Sequence, residues 1–172
     1  MKNTLLALSI LAFSVPALAG GAKVLHVEET VSITAPADQV WNKVKDFGDL
    51  GAWHPAVKST QITAGKNNVK GAVRLLTLQD GGTIKEKLLG YQAKKMTFKY
   101  AIIEGVLPVS HYASTVTVKA NSPTSSTVTW NGNFKRKDTA AKPAAGQDDE
   151  TAVKTITSVY RGGLDNLKKV ME

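Results

Sequence analysis

Cysteine is absent from all 172 residues. That absence removes thiol nucleophiles, thiolate metal sites, covalent haem attachment and disulfides, so stability must come from burial alone. It also excludes lipid attachment at an export site, which needs a cysteine. Acidic residues are outnumbered, 14 against 22 lysines and arginines, giving a formal charge of +8 and favouring acidic partners over basic ones. The lysines are scattered (Lys66, Lys70, Lys85, Lys87, Lys94, Lys95, Lys99, Lys119, Lys135, Lys137), and no nucleic-acid motif accompanies them, so nucleic acid is not an expected partner. There is no nucleophile motif, phosphate-binding glycine loop or dinucleotide fingerprint. The three histidines, His26, His54 and His111, lack metal-ligand spacing, so neither metal nor cofactor is expected.

No apolar run reaches the roughly 20 residues of a membrane span. What is present at the start is shorter. Lys2 is followed by an apolar core from Leu5 to Val15 and by Ala17-Leu18-Ala19 before Gly20, the pattern of a secretory signal peptide cleaved after Ala19. Residues 1–19 are thus expected to direct export, and residues 20–172 to form one soluble periplasmic domain of ordinary size.

Residues 24–34 alternate, with Leu25, Val27, Val31 and Ile33 on one face, as a half-buried strand does. In residues 36–47, Val40, Trp41, Val44 and Phe47 recur at helical spacing behind Pro36, predicting about three helical turns. Residues 48–55 are broken by glycine and read as a bent connection with room for one helical turn. Six strand-like runs follow, at 57–63, 72–78, 83–91, 96–103, 111–118 and 127–135, with Asp80-Gly81-Gly82 and Asn121-Ser122-Pro123 as hairpin connections. Residues 138–147 form a small-residue, proline-containing loop with no apolar period to hold it. Residues 148–171 carry acidic groups in the first turn, lysines in the last and a stripe of Ala152, Ile156, Val159, Tyr160, Gly163, Leu164, Leu167 and Val170, an amphipathic helix. The Gly162-Gly163 pair suits close contact between helix and sheet. The economical packing is α+β: a curved antiparallel sheet wrapped around the terminal helix, with an apolar cavity between them.

Two consecutive strands each place one charge on an apolar face. Arg74 sits with Ala72, Leu76 and Leu78; Glu86 sits with Ile84 and Leu88. A buried charge is costly unless paired, so the two are expected to answer one another, or a ligand, inside the cavity. A purely structural ion pair, or a bulge that puts one in solvent, is the other reading. Glu29 is a weaker candidate for a third internal charge. Trp53 and His54 lie in an irregular connection, where they form either a pocket rim or a tryptophan plug with His54 in solvent. Tyr100, Tyr112 and Trp130 share faces with apolar neighbours and complete the candidate ligand-binding set.

These segments together, AP-DQVW, DFGDLGAWHP, GAVRLLTLQDGGTIKEKLLGY, YAIIEGVLPVSHYASTVTV and YRGGLDNLKKV, resemble the START-like helix-grip superfamily (SRPBCC; polyketide cyclase/dehydrase-like), and within it the MxaD-type periplasmic proteins. The resemblance covers nearly the whole chain after residue 19. It implies a seven-stranded sheet gripping the terminal helix around an apolar cavity. With no catalytic motif visible, the first reading is a non-catalytic one, binding a small hydrophobic or amphipathic molecule, and the MxaD-type likeness implies assisting a periplasmic alcohol (methanol) dehydrogenase and its acidic cytochrome. In plant lachrymatory-factor synthase, a distant likeness, a catalytic arginine and glutamate fall on the strands that here carry Arg74 and Glu86. A cyclase, dehydratase or isomerase using those two residues is therefore the alternative, with Glu86 moving a proton and Arg74 stabilising negative charge. Abscisic-acid receptors are similar around Glu86 and His111-Tyr112-Ala113-Ser114, but Lys87 and His111 replace family residues, so hormone recognition does not carry over.

Overall fold

A computed structural model of the chain describes residues 22–172; the segment read as a signal peptide lies outside them. Strand β1 (Leu25–Ile33) leads through helix α1 (Ala37–Val44) and a short 3-10 turn (Leu50–Ala52) to six further strands. These are β2 (Val57–Ala64), β3 (Val73–Leu78), β4 (Thr83–Gln92), β5 (Thr97–Gly105), β6 (Val109–Ser122) and β7 (Ser125–Arg136), and the chain closes with helix α2 (Asp149–Met171). All seven strands form one antiparallel sheet in the order β1-β7-β6-β5-β4-β3-β2. Helix α1 thus carries the chain from one edge of the sheet to the other, and the sheet curls around α2, which packs on β1 and β7. This is the helix-grip arrangement.

Period-two alternation dictates which side of each strand faces α2. In β7, Val128, Trp130, Gly132 and Phe134 point inward, the first three opposite Val118, Val116 and Ser114 of β6 and Phe134 opposite Leu25 of β1. The core runs from these residues to Ile156, Tyr160, Leu164 and Leu167 of α2. Asp148 caps α2 by accepting from the Thr151 N–H at 2.7 Å, which satisfies one of the free amides of the first turn. Val170, placed on the buried stripe by periodicity, is exposed, and Met171 beside it packs against the core instead.

Several details differ from the sequence reading. Helix α1 has two turns instead of three, because Phe47 leaves the helical path to accept from Arg74 through its carbonyl (2.7 Å) and donate its N–H to Asn68 Oδ1 (2.9 Å). Met96 adopts a left-handed conformation after a 3-10 turn (Ala93–Lys95), so β5 begins one residue later. Strand β6 begins at Val109 and carries an irregularity at Ser110–Ala113, where His111 has φ 50°; such a bulge re-aims the following side chain, here the buried Tyr112. The loop 138–147 is held by polar ties: Arg136 donates to the carbonyls of Asp138 and Ala140 and pairs with Asp149 at 2.8 Å, while Asp138 accepts from Ala140 and Ala144 N–H groups. Among the described residues no helix is long and apolar enough to cross a membrane.

Candidate functional site

A cavity of about 70 Å³ lies between the concave face of the sheet and α2. Its apolar wall includes Leu76 and Leu78 of β3, Ile84 of β4, Ile102 of β5, and Ile156 and Val159 of α2, and the polar exceptions are His54, Glu86, Tyr100, Tyr112 and Trp130.

Glu86 is opposite Arg74 in the β3–β4 ladder, which brings the two side chains together. Arg74 Nε lies 2.6 Å from Glu86 Oε2, with Arg74 1% and Glu86 4% exposed. The guanidinium also donates through Nη1 to the Phe47 carbonyl and stacks over the Phe47 ring, 4.1 Å from its centroid. Burial pushes the Glu86 carboxyl above its ordinary range, against the opposing pull of Arg74. Glu86 reaches the cavity wall; Arg74 stands behind it and is not part of the wall. A direct role for Arg74 on a cavity ligand therefore does not follow from its position. Its contacts hold and neutralise Glu86 while pinning the end of α1.

His54 is buried, 3% exposed, which removes the reading that placed it in solvent. Its Nε2 lies 3.0 Å from the Val159 carbonyl of α2, and its Nδ1 accepts from the Ala56 N–H at 3.3 Å. With Nδ1 accepting, Nε2 carries the hydrogen and donates. Burial, and secondarily the charge of Arg74, lower the imidazole's affinity for a second proton. Trp53 does not reach the cavity; it packs edge-on against Trp130, 5.5 Å between centroids, and its carbonyl accepts from Asn166. Glu29 pairs with Arg161 of α2 and is not a cavity charge.

Two residues outside the candidate ligand-binding set, Ser114 and Tyr160, connect the other polar groups. Ser114 Oγ lies 2.9 Å from both Trp130 Nε1 and Tyr160 Oη; Tyr160 Oη lies 2.7 Å from Tyr112 Oη, which lies 3.3 Å from Tyr100 Oη. Trp130 Nε1 also donates to Tyr100 Oη at 3.0 Å. Burial raises the pKa of all three tyrosines, that of Tyr160 to about 12, so the hydroxyls stay protonated. Tyr160 stacks on Trp130 at 4.5 Å, and the space for its hydroxyl exists because residue 132 is glycine: a Cβ there would collide with Tyr160 Oη. A glycine midway along an otherwise regular strand was the available signal. Gly163 plays the matching part on α2, where a Cβ would meet His54 Cδ2 at 2.6 Å and Trp130 Cζ3 at 2.9 Å.

Of the residues singled out from sequence, the fold brings His54, Glu86, Tyr100, Tyr112 and Trp130 to one cavity and leaves Arg74 and Trp53 behind it. His26 and His111 are exposed elsewhere, and among the described residues no cluster of three or more His, Asp or Glu could hold a metal ion.

The chain is similar to proteins of known sequence and structure. MLP-like protein 423 of Arabidopsis thaliana is 29% identical over 126 residues, covering 68% of this chain and 79% of that protein. The solved structure of XoxI from Bacillus cereus superposes with a TM-score of 0.74 at 28% identity, covering 85% of this chain and 94% of XoxI. An uncharacterized protein from Bacillus thuringiensis gives 0.74 at 30% identity, covering 86% and 98%. The model of the family described as polyketide cyclase / dehydrase and lipid transport matches residues 24–172, from β1 through α2, and the chain belongs to that family.

Proposed function

We propose that this protein is an exported, non-catalytic binding module that holds a small amphipathic molecule in the cavity between the sheet and α2. The observation that carries the reading is Glu86: a carboxylate neutralised from behind by Arg74 and set into a mainly apolar wall. Such a group fixes the orientation of a ligand whose remainder is apolar. Drug-sized ligands occupy roughly 300–1,000 Å³, so a cavity of about 70 Å³ suits a molecule of few heavy atoms, and an extended lipid chain would require the sheet and α2 to separate.

Native mass spectrometry of protein released from the periplasm by osmotic shock tests both parts. Recovery in that fraction with a retained small molecule, lost in Glu86→Gln, supports the proposal. Retention in the cytoplasm counts against export, and ligand retention unaffected by the substitution counts against the site. An enzymatic cyclase, dehydratase or isomerase reading would rest on Glu86 without direct help from Arg74. It requires turnover that disappears in a folded Glu86→Gln protein.

A second reading, docking on an acidic periplasmic partner such as an alcohol dehydrogenase or its cytochrome, is favoured by the outer face of the sheet. There Lys87, Lys99 and Lys119 are exposed because their neighbours Leu88, Tyr100 and Val118 point inward. Capture of a partner that weakens steeply with salt and is lost on Lys87→Glu/Lys99→Glu substitution would support it.

A further inference from the structure

The hydroxyl chain around Trp130 has a direction, and counting hydrogens reveals it. The Asn131 carbonyl can only accept, and Ser114 Oγ lies 2.7 Å from it, so Ser114 donates there. Ser114 then has no further hydrogen, and it accepts from Trp130 Nε1 and from Tyr160 Oη. With the Tyr160 hydrogen committed, the 2.7 Å contact to Tyr112 requires Tyr112 to donate to Tyr160. Tyr112 has then given its hydrogen away. What remains is Tyr100, whose oxygen accepts from Trp130 and whose hydrogen has only the long 3.3 Å contact to Tyr112. The hydroxyl hydrogens of Ser114, Tyr160 and Tyr112 each have a short protein acceptor. Tyr100 is the open donor, and it lines the cavity.

Glu86 lines the same cavity and is an acceptor. Arg74 occupies Oε2, leaving Oε1 on a side chain that borders the space. Tyr100 and Glu86 stand on the same face of adjacent strands, Tyr100 opposite Leu88, two residues along β4 from Glu86. The cavity therefore offers one hydrogen-bond donor and one acceptor in an apolar wall.

From this pairing, and resting on the binding function proposed above, we infer that the site selects small neutral molecules bearing a hydroxyl group, phenols or alcohols. The ligand hydroxyl donates to Glu86 and accepts from Tyr100. A ketone or ether satisfies Tyr100 alone and leaves the carboxylate unpaired. A carboxylate ligand meets Glu86 with like charge. A hydrocarbon of equal size fills the space and satisfies neither group, and a buried polar group left without its partner costs more than the bond itself returns.

Isothermal titration calorimetry of the protein at neutral pH with phenol, toluene and benzoate as probes tests the inference. Phenol is expected to bind at least about tenfold more tightly than toluene, the worth of one charge-assisted hydrogen bond, with benzoate weakest of the three. Tyr100→Phe is expected to lower the phenol-to-toluene preference by about fivefold, and the wild-type ratio carries the test if that variant fails to fold. Toluene binding as tightly as phenol overturns hydroxyl selection while leaving the binding cavity standing. Benzoate binding more tightly than phenol, or a preference unchanged in folded Tyr100→Phe, also overturns it. Failure of both phenol and toluene to bind at millimolar concentration overturns the binding reading as well.

Discussion

Arg74 meets Glu86 across the β3–β4 ladder at 2.6 Å, both side chains withdrawn from solvent, and the pair faces the cavity with its acidic half only. This polarity separates two properties that one ion pair usually merges. Glu86 is the residue a ligand can touch. Arg74 keeps that carboxylate tolerable inside an apolar wall.

Arg74→Met should therefore destabilise the protein by about 3–5 kcal/mol, because it leaves a buried carboxylate unpaired. Arg74→Met combined with Glu86→Leu should be markedly more stable than Arg74→Met alone, since no orphan charge remains. Denaturant unfolding of both variants checks this; strictly additive losses would show that the two charges do not depend on one another.

Gly132→Ala should cost about 1–3 kcal/mol by forcing the Tyr160 hydroxyl out of its place. Tyr160→Phe removes the obstructing oxygen, so the two substitutions together should cost less than the sum of the single effects. Rescue will be partial, because the added Cβ also lies 3.3 Å from the Ala113 carbonyl. Equal additive losses in a double-mutant cycle would remove the Tyr160 hydroxyl as the reason for glycine here.

The two adjacent glycines of α2 should respond in opposite directions. At Gly162 a Cβ meets nothing within 4 Å, so Gly162→Ala should stabilise by about 0.5–1 kcal/mol through helix propensity alone. At Gly163 the same change pushes on His54 and Trp130, and the net effect should be a loss of about 1–3 kcal/mol despite the better propensity. Thermal melts of the pair decide it, and a gain at both positions contradicts the close approach.

Stability should fall as pH drops below the ordinary histidine value of 6.5, through His54. Burial lowers its folded-state pKa, so between the folded and unfolded values the unfolded chain binds more protons than the native one, and stability rises with pH in that window. Glu86 acts with the opposite sign: its raised pKa makes stability decline as pH climbs above 4.5 toward its folded value. His54→Gln, whose amide can still donate to the Val159 carbonyl, isolates the first effect. The difference in unfolding free energy between wild type and this variant should shrink steadily from pH 7 to pH 5; a difference flat across that range refutes the assignment.

The strands and the terminal helix were legible because each obeys a simple period. Alternation in residues 24–34, or the stripe through Ile156, Leu164 and Leu167, reflects one-sided burial that any sheet-and-helix packing would demand. Even the companionship of Arg74 and Glu86 was visible, since two charges on two apolar faces of successive strands have few partners but each other. The end of α1 was not legible. Phe47 fits the helical spacing, and only its hydrogen bonds to Arg74 and Asn68, each more than 20 positions away, draw it off the helix.

Sequence by itself determined the fold class, the absence of thiol chemistry and most of the residues that lie inside, because these follow from composition, period and the cost of burying charge. Tertiary structure alone decided which internal residues face the cavity and which stand behind it. Arg74 and Glu86 look equivalent along the chain and become unequal only when the sheet curls around α2. Tyr160 looks like another apolar-stripe residue, and becomes the middle of a hydrogen-bond chain only when Gly132 and Ser114, distant in sequence, are brought beneath its hydroxyl. Periodicity reports that a side chain is buried; its hydrogen-bond partners depend on register, curvature and close approach across the whole fold.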